Sequence, residues 1–479
     1  MKNRFNNITS KEWLPFQKSW FKYTDYESLI RSNIRFFVKF DNPQLRPNVL
    51  FYGGKDKYEL VNKFALQEGA NIFFEPETDG AEPFQFIIID LLSVLDETTS
   101  LDDYQKMKRE IFAFIANIRE RIYHRRFLTI FIKNIQTESS FLPYAWDLAK
   151  DLSDCLSLKD EKIACLQNKP SKGKIDYFRT DNSVFYSLYF RKDENSEGNC
   201  RTNPFIFTGG KLNNIPSKNQ FSGFPSWQIV KPRPRKKNEI LHPAKYPEEL
   251  IKQFITTFSK EGENIFDPMS GTGSTQVAAL ERGRNGYGTE LSPFFADIAR
   301  ERCKEIINSQ KAELFAEKAA DLSYKILLKN AKEIAPTDFP KIDYIITSPP
   351  YWDMLNMKGA EYQARRKEKG LQLNYSDNPA DLGNISDYEN FIDELEAVYI
   401  HILGLLKKGG YFTIIVKNIK KKGRNYPFAW DLSERLQKHL LLLPETFWLQ
   451  DDISIAPYGY GNTWVSNTFH QYCLNFQKI

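Results

Sequence analysis

The sequence contains an internal repeat, and this repeat constrains the fold more than any other feature of the chain. Residues 127–134, FLTIFIKN, return as YFTIIVKN at 411–418, and PYAWDL at 143–148 returns as PFAWDL at 427–432. Both pieces are displaced by the same number of residues, which chance seldom produces. The repeat predicts two copies of one structural unit.

Each copy has the pattern of an α/β unit. Short apolar runs alternate with amphipathic stretches such as residues 388–406, which lie just before the run at 411–418. This alternation predicts a parallel sheet covered by helices. The predicted fold class is therefore α/β, with two units that arose by internal duplication.

The length of 479 residues exceeds what one hydrophobic core normally supports, in agreement with two domains. We expect a first domain over residues 1–195, a linker or basic loop over 196–238, and a second domain over 239–479. The linker is rich in Asn, Ser, Gly, Pro and Lys and ends in KPRPRKK at 231–237. Arg233 and Arg235 in this run are candidate phosphate contacts, and the alternative is an ordinary solvated surface.

Composition excludes some classes of protein. Hydrophobic residues make up 41% of the chain and charged residues 27%, as in a folded protein. The five cysteines are scattered without a C-x-x-C pair, so we expect neither a metal site nor a disulfide framework, and a reducing cytoplasm. No apolar run approaches the roughly 18 residues that span a bilayer, so no membrane partner is expected.

The first chemical motif is IFDPMSGTGST at residues 265–275. A strand end, Asp267, a loop with Gly271 and Gly273, and a helix starting near Gln276 form an arrangement that lets the backbone approach a nucleotide-like ligand. Glycine loops also occur in turns for conformational reasons alone. Glu290 ends the next predicted strand about 20 residues later, where an acid can accept hydrogen bonds from ribose hydroxyls; the alternative is a surface acid.

The second motif is YIITSPPYW at residues 344–352. An exocyclic base amine is a poor nucleophile because its lone pair is delocalised into the ring. Ser348 Oγ and the Pro349 carbonyl are acceptors that can hold its two N–H groups and expose the lone pair. Tyr351 would stack on a base flipped out of the duplex. The alternative is a strand that ends in a Pro-Pro turn with a core tyrosine.

A third motif, HPAKYPEEL at residues 242–250, precedes the glycine loop. His242 and Pro243 are candidates to line the cofactor pocket, and the alternative is an ordinary helix start.

Together the three motifs resemble those of the amino-methylating DNA methyltransferases, over roughly residues 240–479. The resemblance implies S-adenosylmethionine as cofactor, duplex DNA as partner, and two Rossmann-like methyltransferase units. It assigns Glu290 to the ribose. The other implied cofactor residues are Asp267, Pro268, Ser270, Gly271, Gly273 and Asn330, the last standing where the family often has Asp. The implied catalytic residues are Ser348, Pro349, Pro350 and Tyr351.

The Ser-Pro-Pro-Tyr form resembles the cytosine-N4 members of the family, whereas adenine-N6 members more often carry Asp-Pro-Pro-Tyr or Asn-Pro-Pro-Tyr. We therefore expect methylation of cytosine N4 in duplex DNA, and family habit implies a restriction-modification or defence role with a cognate nuclease. Adenine-N6 methylation, RNA base methylation and a non-enzymatic nucleic-acid-binding protein are the alternatives.

The first copy lacks both motifs. Phe51 stands where the second copy has Asp267, and Asp90-Leu-Leu-Ser93 stands where it has Ser-Pro-Pro-Tyr. We expect a degenerate, inactive methyltransferase-like domain there.

Candidate nucleic-acid contacts lie in two places after the catalytic motif. The second copy carries an insertion after Tyr351, with Arg365, Arg366 and Lys367 near tyrosines. These residues suit phosphate contact, and the alternative is an irregular surface loop. A second basic cluster follows residue 416 and consists of Lys417, Lys420, Lys421, Lys422 and Arg424.

Overall fold

The computed structural model describes most of the chain. The described residues are 3–40, 44–75, 83–137, 140–167, 177–207, 221, 223–231, 246–313, 322–352, 381–421, 423–452, 455, 460–461 and 464–479.

Two large mixed sheets with helices dominate these residues. The strands of the first half are β1 (Trp20–Lys22), β2 (Asn48–Tyr52), β3 (Asn71–Phe73), β4 (Phe84–Asp90), β5 (Ile122–Ile132), β6 (Ile135–Gln136), β7 (Phe141–Leu142), β8 (Ser157–Cys165) and β9 (Val184–Arg191). Those of the second half are β10 (Trp227–Ile229), β11 (Asn264–Asp267), β12 (Asn285–Glu290), β13 (Tyr324–Leu328), β14 (Ile342–Thr347), β15 (Leu406–Val416), β16 (Ile419–Lys421), β17 (Arg424–Tyr426), β18 (Leu441–Leu442), β19 (Thr446–Leu449) and β20 (His470–Gln477).

The α-helices lie between these strands. They are α1 (Ser10–Trp13), α2 (Tyr26–Phe37), α3 (Tyr58–Gln67), α4 (Leu101–Ile118), α5 (Tyr144–Leu152), α6 (Glu248–Phe258), α7 (Ser274–Glu281), α8 (Pro293–Glu313), α9 (Tyr388–Ile402) and α10 (Phe428–Leu436).

The two sheets share one strand order. The first runs β1-β8-β9-β5-β4-β2-β3 and the second runs β10-β19-β20-β15-β14-β11-β12-β13, with β18 also pairing to β20. The directions match as well: β9 and β20 are antiparallel to both of their main neighbours, and the other pairs along these paths are parallel. We call the parts built on these sheets the first and second lobes. The α/β class predicted from the alternating pattern is confirmed, but the sheets are mixed where a parallel sheet was predicted, because β9 and β20 run antiparallel to their neighbours.

The central strand of the second sheet shows why the sequence folds this way. β14 reads IDYIIT, and five of its six residues are buried. A strand that is apolar on both faces belongs in the middle of a parallel sheet with helices on each side. Helix α9 covers one face, beginning after its N-cap Asp387 and packing Tyr399 against Phe412 of β15 at 5.1 Å between ring centroids.

The lobes interpenetrate rather than meet at a plane. Trp464 comes from the second half of the chain but is fully buried in the first lobe, with Phe37 and Tyr189 each at 5.0 Å between ring centroids. Conversely, Phe178 packs against Phe258 of α6 at 4.9 Å. The ends of the sheets therefore share their hydrophobic cores.

Two features differ from the sequence expectations. Within the predicted linker 196–238, Trp227–Ile229 form β10, which pairs in parallel with β19, so this part of the segment is a strand of the second sheet. Cys155 and Cys200 form a disulfide, so the expectation that the cysteines form no such bond is wrong for this pair. Their separation of 45 residues carries no motif, and only the fold brings them together. The domain boundaries remain predictions.

Among the described residues, no helix combines the length and the apolar character needed to cross a bilayer.

Candidate active site

A cavity opens at the carboxyl ends of β11 to β14 in the second lobe. Four segments line it: the loop Pro268–Thr272, the end of β12 at Glu290 and Leu291, the loop Lys329–Ala331, and Ser348–Pro350. Parallel sheets place ligand sites at this edge because the loops after successive strands converge there. The space between its walls is about 1020 Å³, open mouth included.

The glycine loop after β11 depends on residues without side chains. Gly271 and Gly273 have φ of +52° and +78°, in the left-handed region. A Cβ atom on Gly273 would lie 2.8 Å from the Cβ of Ala299 in α8. A Cβ atom on Gly288 of β12 would overlap Ser270 Oγ and Gln276 Nε2. The loop thus lies directly against both β12 and α8.

Asp267 is fully buried and holds this loop in place through hydrogen bonds. Its Oδ1 accepts from Thr347 Oγ1 at 2.7 Å and the Met269 amide at 3.0 Å, and its Oδ2 accepts from Thr275 Oγ1 at 2.7 Å and Tyr246 at 3.2 Å. Burial raises the pKa of this carboxyl, while these four donors act in the opposite direction. Asp267 is not among the described residues that line the cavity. Its hydrogen bonds join the glycine loop to Thr347, the residue just before Ser348.

Glu290 lines the cavity directly. Its Oε1 accepts from the amides of Leu291 and Ser292 at 2.9 and 2.8 Å, and its Oε2 accepts from the Gly271 amide at 2.7 Å. A carboxylate has about four acceptor positions, so one remains, on Oε2, for a ligand hydroxyl. Burial raises the pKa of Glu290, and the three amide donors oppose this rise.

Tyr246 is a cavity residue that sequence reasoning missed. Its hydroxyl lies 2.9 Å from Thr275 Oγ1 as well as within hydrogen-bonding distance of Asp267. The only signal was its position in the motif at 242–250. His242 and Pro243 of that motif lie outside the described residues.

The structure brings most of the predicted catalytic motif to the cavity. Ser348, Pro349 and Pro350 line it. Tyr351 does not line it among the described residues; its hydroxyl donates to Gln471 Oε1 at 3.1 Å, and Lys417 Nζ lies 4.8 Å from its ring centroid. Trp352 is buried and donates from Nε1 to the Ser386 carbonyl at 3.1 Å.

Asn330 also reaches the cavity, where its Oδ1 accepts from the Lys332 amide at 3.0 Å and caps a short 3-10 turn. The opposite wall includes Phe295 of α8, Asp381 and Leu382, and Val398 of α9. No sequence motif marked these last four positions.

The predicted nucleic-acid contacts are only partly described. Arg233, Arg235, Arg365, Arg366 and Lys367 lie outside the described residues, as does Lys422.

The described members of the second basic cluster lie close to aromatic or acidic groups. Lys420 pairs with Asp160 of the first lobe, Lys421 Nζ lies 3.7 Å from the Trp352 ring centroid, and Arg424 lies 5.2 Å from that of Tyr426.

In the first lobe, the residues described at the equivalent positions are buried. Phe51 takes the place of Asp267, and it is fully buried, with Phe74 at 6.1 Å between centroids. Asp90, at the place of Ser348, is buried and accepts from Tyr26 Oη at 2.6 Å. Burial raises the pKa of Asp90.

Comparison with known proteins gives a match to DNA methylases that includes parts of both lobes. A family model described as DNA methylase, of the N6/N4 type, matches residues 86–301, from β4 of the first lobe to α8 of the second. Orphan methyltransferase M.BamHII of Bacillus amyloliquefaciens is 44% identical over 66 residues, which are 14% of this chain and 25% of that protein. Type II methyltransferase M.HinfI of Haemophilus influenzae is 30% identical over 110 residues, which are 22% of this chain and 31% of that protein.

The chain thus spans about a quarter to a third of the length of these two curated relatives. Ser348–Tyr351 lies beyond the residues that the family model matches. The solved structure of TrmN from Thermus thermophilus covers 48% of each chain at 14% identity, but its TM-score of 0.26 supports no inference.

Proposed function

We propose, from the premise that this chain belongs to the amino-methylating DNA methyltransferases, that it transfers a methyl group from S-adenosylmethionine to N4 of cytosine in duplex DNA. The observation that carries this proposal is a cavity lined by both the glycine loop with Glu290 and the Ser348–Pro350 turn. Cofactor and base would therefore meet in one space.

The described residues fit S-adenosylmethionine, the cofactor of this family. Glu290 retains one acceptor position for a ribose hydroxyl, and the loop backbone at Gly271 can approach the ligand closely. Leu291, Phe295 and Val398 offer apolar surface to an adenine ring. S-adenosylmethionine, when bound, supplies a methyl group on a positively charged sulfur, and the sulfur leaves as a neutral thioether when the amine nitrogen takes the methyl group.

The Ser348–Pro350 segment, called the catalytic turn below, would act by orienting the target amine. Ser348 Oγ and the Pro349 carbonyl accept the two N–H groups of the target amine, so that its lone pair is directed at the methyl group. After transfer the nitrogen carries one proton too many, and the same acceptors orient that N–H for loss to water. No strong general base is needed. Thr347, held by Asp267, fixes the start of this turn.

The choice of cytosine rests on the resemblance of Ser-Pro-Pro-Tyr to the cytosine-N4 members. Adenine N6 is the closest alternative because the same two acceptors fit either amine. An RNA base is the alternative of another substrate class, and a non-enzymatic nucleic-acid-binding protein is the least favoured. The name of the type II methyltransferase M.HinfI supports a role in restriction-modification. A cognate nuclease is a further proposed partner, which rests on family habit alone. We propose the cytoplasm as the location on the basis of the DNA substrate alone, because the Cys155–Cys200 disulfide removes the argument from cysteine usage.

We further propose that the two lobes arose by duplication and that the first is inactive. The shared strand order supports the duplication. The family match, which starts in one lobe and ends in the other, is also what tandem copies of one unit would give. Phe51 and Asp90 at the positions of Asp267 and Ser348 support the loss of activity.

A methyl-transfer assay tests the function. Wild-type protein and labelled S-adenosylmethionine are incubated with unmodified duplex DNA, and the nucleosides are identified by mass spectrometry. We expect N4-methylcytosine, with a loss of about 100-fold or more in Ser348→Ala and Tyr351→Ala. Ser309→Ala, at an exposed serine on α8, is the matched control. N6-methyladenine would instead support the adenine alternative, and labelling of RNA alone would overturn the DNA assignment.

A further inference from the structure

Gln471 lies at the same sheet edge as the catalytic turn, although 120 residues separate it from Tyr351. Thr347 of β14 pairs with Ile414 of β15, and Val416 pairs with Tyr472 of β20. Gln471 therefore adjoins the last of these pairs, beside the point where Ser348 leaves β14. The register alone brings this side chain into contact with Tyr351, the residue after Pro350 of the cavity wall.

The Gln471 carboxamide has a fixed orientation. Tyr351 donates its hydroxyl hydrogen to Gln471 Oε1 at 3.1 Å, and Lys417 Nζ lies 4.8 Å from the same tyrosine ring, where a cation–π contact stabilises it. Gln471 is only 8% exposed. Because Oε1 accepts this bond, the two N–H groups of Nε2 remain as donors, and no hydrogen bond from them is present within the described residues.

The sheet itself does not require an amide at this position. In the first lobe, Ile132 pairs with Tyr186 as Val416 pairs with Tyr472 in the second, so Phe185 is the counterpart of Gln471. Phe185 is buried and packs against Tyr23 at 5.3 Å between centroids. The lobe with the cavity and the Ser-Pro-Pro-Tyr turn thus has glutamine at this position, and the other lobe has phenylalanine.

We propose that Gln471 donates a hydrogen bond to the ring nitrogen beside the target amine and is thereby a specificity-determining residue, with Tyr351 as its positioning residue. This inference rests on the proposed function. Cytosine N3 and adenine N1 are acceptors next to an amine, whereas thymine and guanine carry an N–H at the corresponding position. A fixed N–H donor therefore favours cytosine and adenine and opposes thymine and guanine; guanine also has an amine, but its N1 carries a hydrogen.

The test combines a protein change with a substrate change. The probe is a duplex oligonucleotide that contains the site methylated by the wild type, with either cytosine or 3-deazacytosine at the target. The deaza base has C–H in place of N3 and keeps the amine. We expect the wild type to lose roughly tenfold in kcat/KM on the deaza duplex, because one hydrogen bond is lost. If the target base is adenine, the probe duplex contains 1-deazaadenine in place of 3-deazacytosine.

Gln471→Leu should be about tenfold slower than wild type on cytosine and should show no further loss on the deaza duplex. Tyr351→Phe keeps the ring but releases the carboxamide, so its penalty on the deaza duplex should be smaller than that of the wild type. Gln253→Leu, at an exposed glutamine on α6, is the control and should behave as wild type.

The outcomes separate the two proposals. If the wild type labels DNA but methylates both duplexes equally, or if Gln471→Leu shows the full deaza penalty, the role of Gln471 is overturned while the proposed function stands. If the wild type labels no DNA, the proposed function fails and this inference fails with it.

Discussion

Asn134 of the first lobe and Glu445 of the second are hydrogen-bonded across the buried lobe interface, with Asn134 Nδ2 at 2.8 and 2.9 Å from the two carboxylate oxygens. The mirror contact joins Asn418 of the second lobe to Glu161 of the first at 2.8 Å. Each glutamate also accepts from a tyrosine of the opposite lobe: Glu445 from Tyr186 at 2.6 Å, and Glu161 from Tyr472 at 2.7 Å. Each lobe thus completes a polar network of the other.

Stability should fall as pH rises because of Glu445. Burial raises the pKa of this carboxyl from 4.5 to about 8. Between these values the folded state holds a proton that the unfolded state releases, so the free energy of unfolding decreases as pH increases through this window, by up to about 1.4 kcal/mol for each pH unit. Glu445→Gln should flatten this part of the profile. Urea unfolding from about pH 4 to pH 9, a range that brackets this window, measures the slope.

Glu301→Gln, at an exposed glutamate on α8, is the control for Glu445→Gln and should keep the wild-type slope. An unchanged slope in Glu445→Gln would assign the pH dependence to other groups.

Gly273 and Gly262 offer a matched pair of substitutions. Both have φ of +78°, but a Cβ atom on Gly273 would meet Ala299, whereas one on Gly262 would meet nothing within 4 Å. Each change to alanine should cost about 1 kcal/mol for the left-handed backbone. Only Gly273→Ala should also displace the cofactor loop and weaken S-adenosylmethionine binding, measured by calorimetry. Equal affinities in the two variants would show that the loop tolerates the close approach.

Glu290 should contribute to cofactor affinity. Glu290→Ala removes the free acceptor position and the bond to the Gly271 amide, so we expect S-adenosylmethionine to bind about 10- to 100-fold more weakly. Calorimetry measures the dissociation constant. Glu305→Ala, at an exposed glutamate of α8, should bind as wild type. Wild-type affinity in Glu290→Ala would remove Glu290 from the proposed site.

Trp464 should stabilise the whole chain although it lies outside the helices and strands described above. Its Nε1 donates to the Phe16 carbonyl at 3.0 Å, and its ring is fully buried in the first lobe. Trp464→Ala should lower the free energy of unfolding by about 3–5 kcal/mol. Phe294→Ala, at a side chain 46% exposed, should change it by far less. A small effect of Trp464→Ala in denaturant unfolding would indicate that the lobes are energetically independent.

The sequence predicted local features well and distant contacts poorly. The repeat predicted that Tyr411 and Phe127 begin equivalent runs, and both lie in equivalent strands, because apolar periodicity and turn residues act over short separations. Gly271 and Ser348 were singled out because close backbone approach and amine binding demand particular residue types; both line the cavity, and their roles remain predictions. Gln471 was missed, since only strand register brings it to Tyr351. The disulfide between residues 155 and 200 was missed because no motif marks this pair and only the fold brings the two cysteines together.

The exchanged glutamates also bear on how such a chain can evolve. If the first lobe were deleted, Asn418 and Tyr472 would lose their acceptor, Glu445 would keep its carboxylate without donors, and the apolar surface around them would meet water. If duplication fused two such units, substitutions such as Phe51 and Asp90 could inactivate one site. The inactivated lobe could not then be deleted without exposing this interface. Under the proposed duplication, selection would preserve the first lobe for the surface it covers, and its sequence would stay free to vary at the edge that holds Phe51 and Asp90.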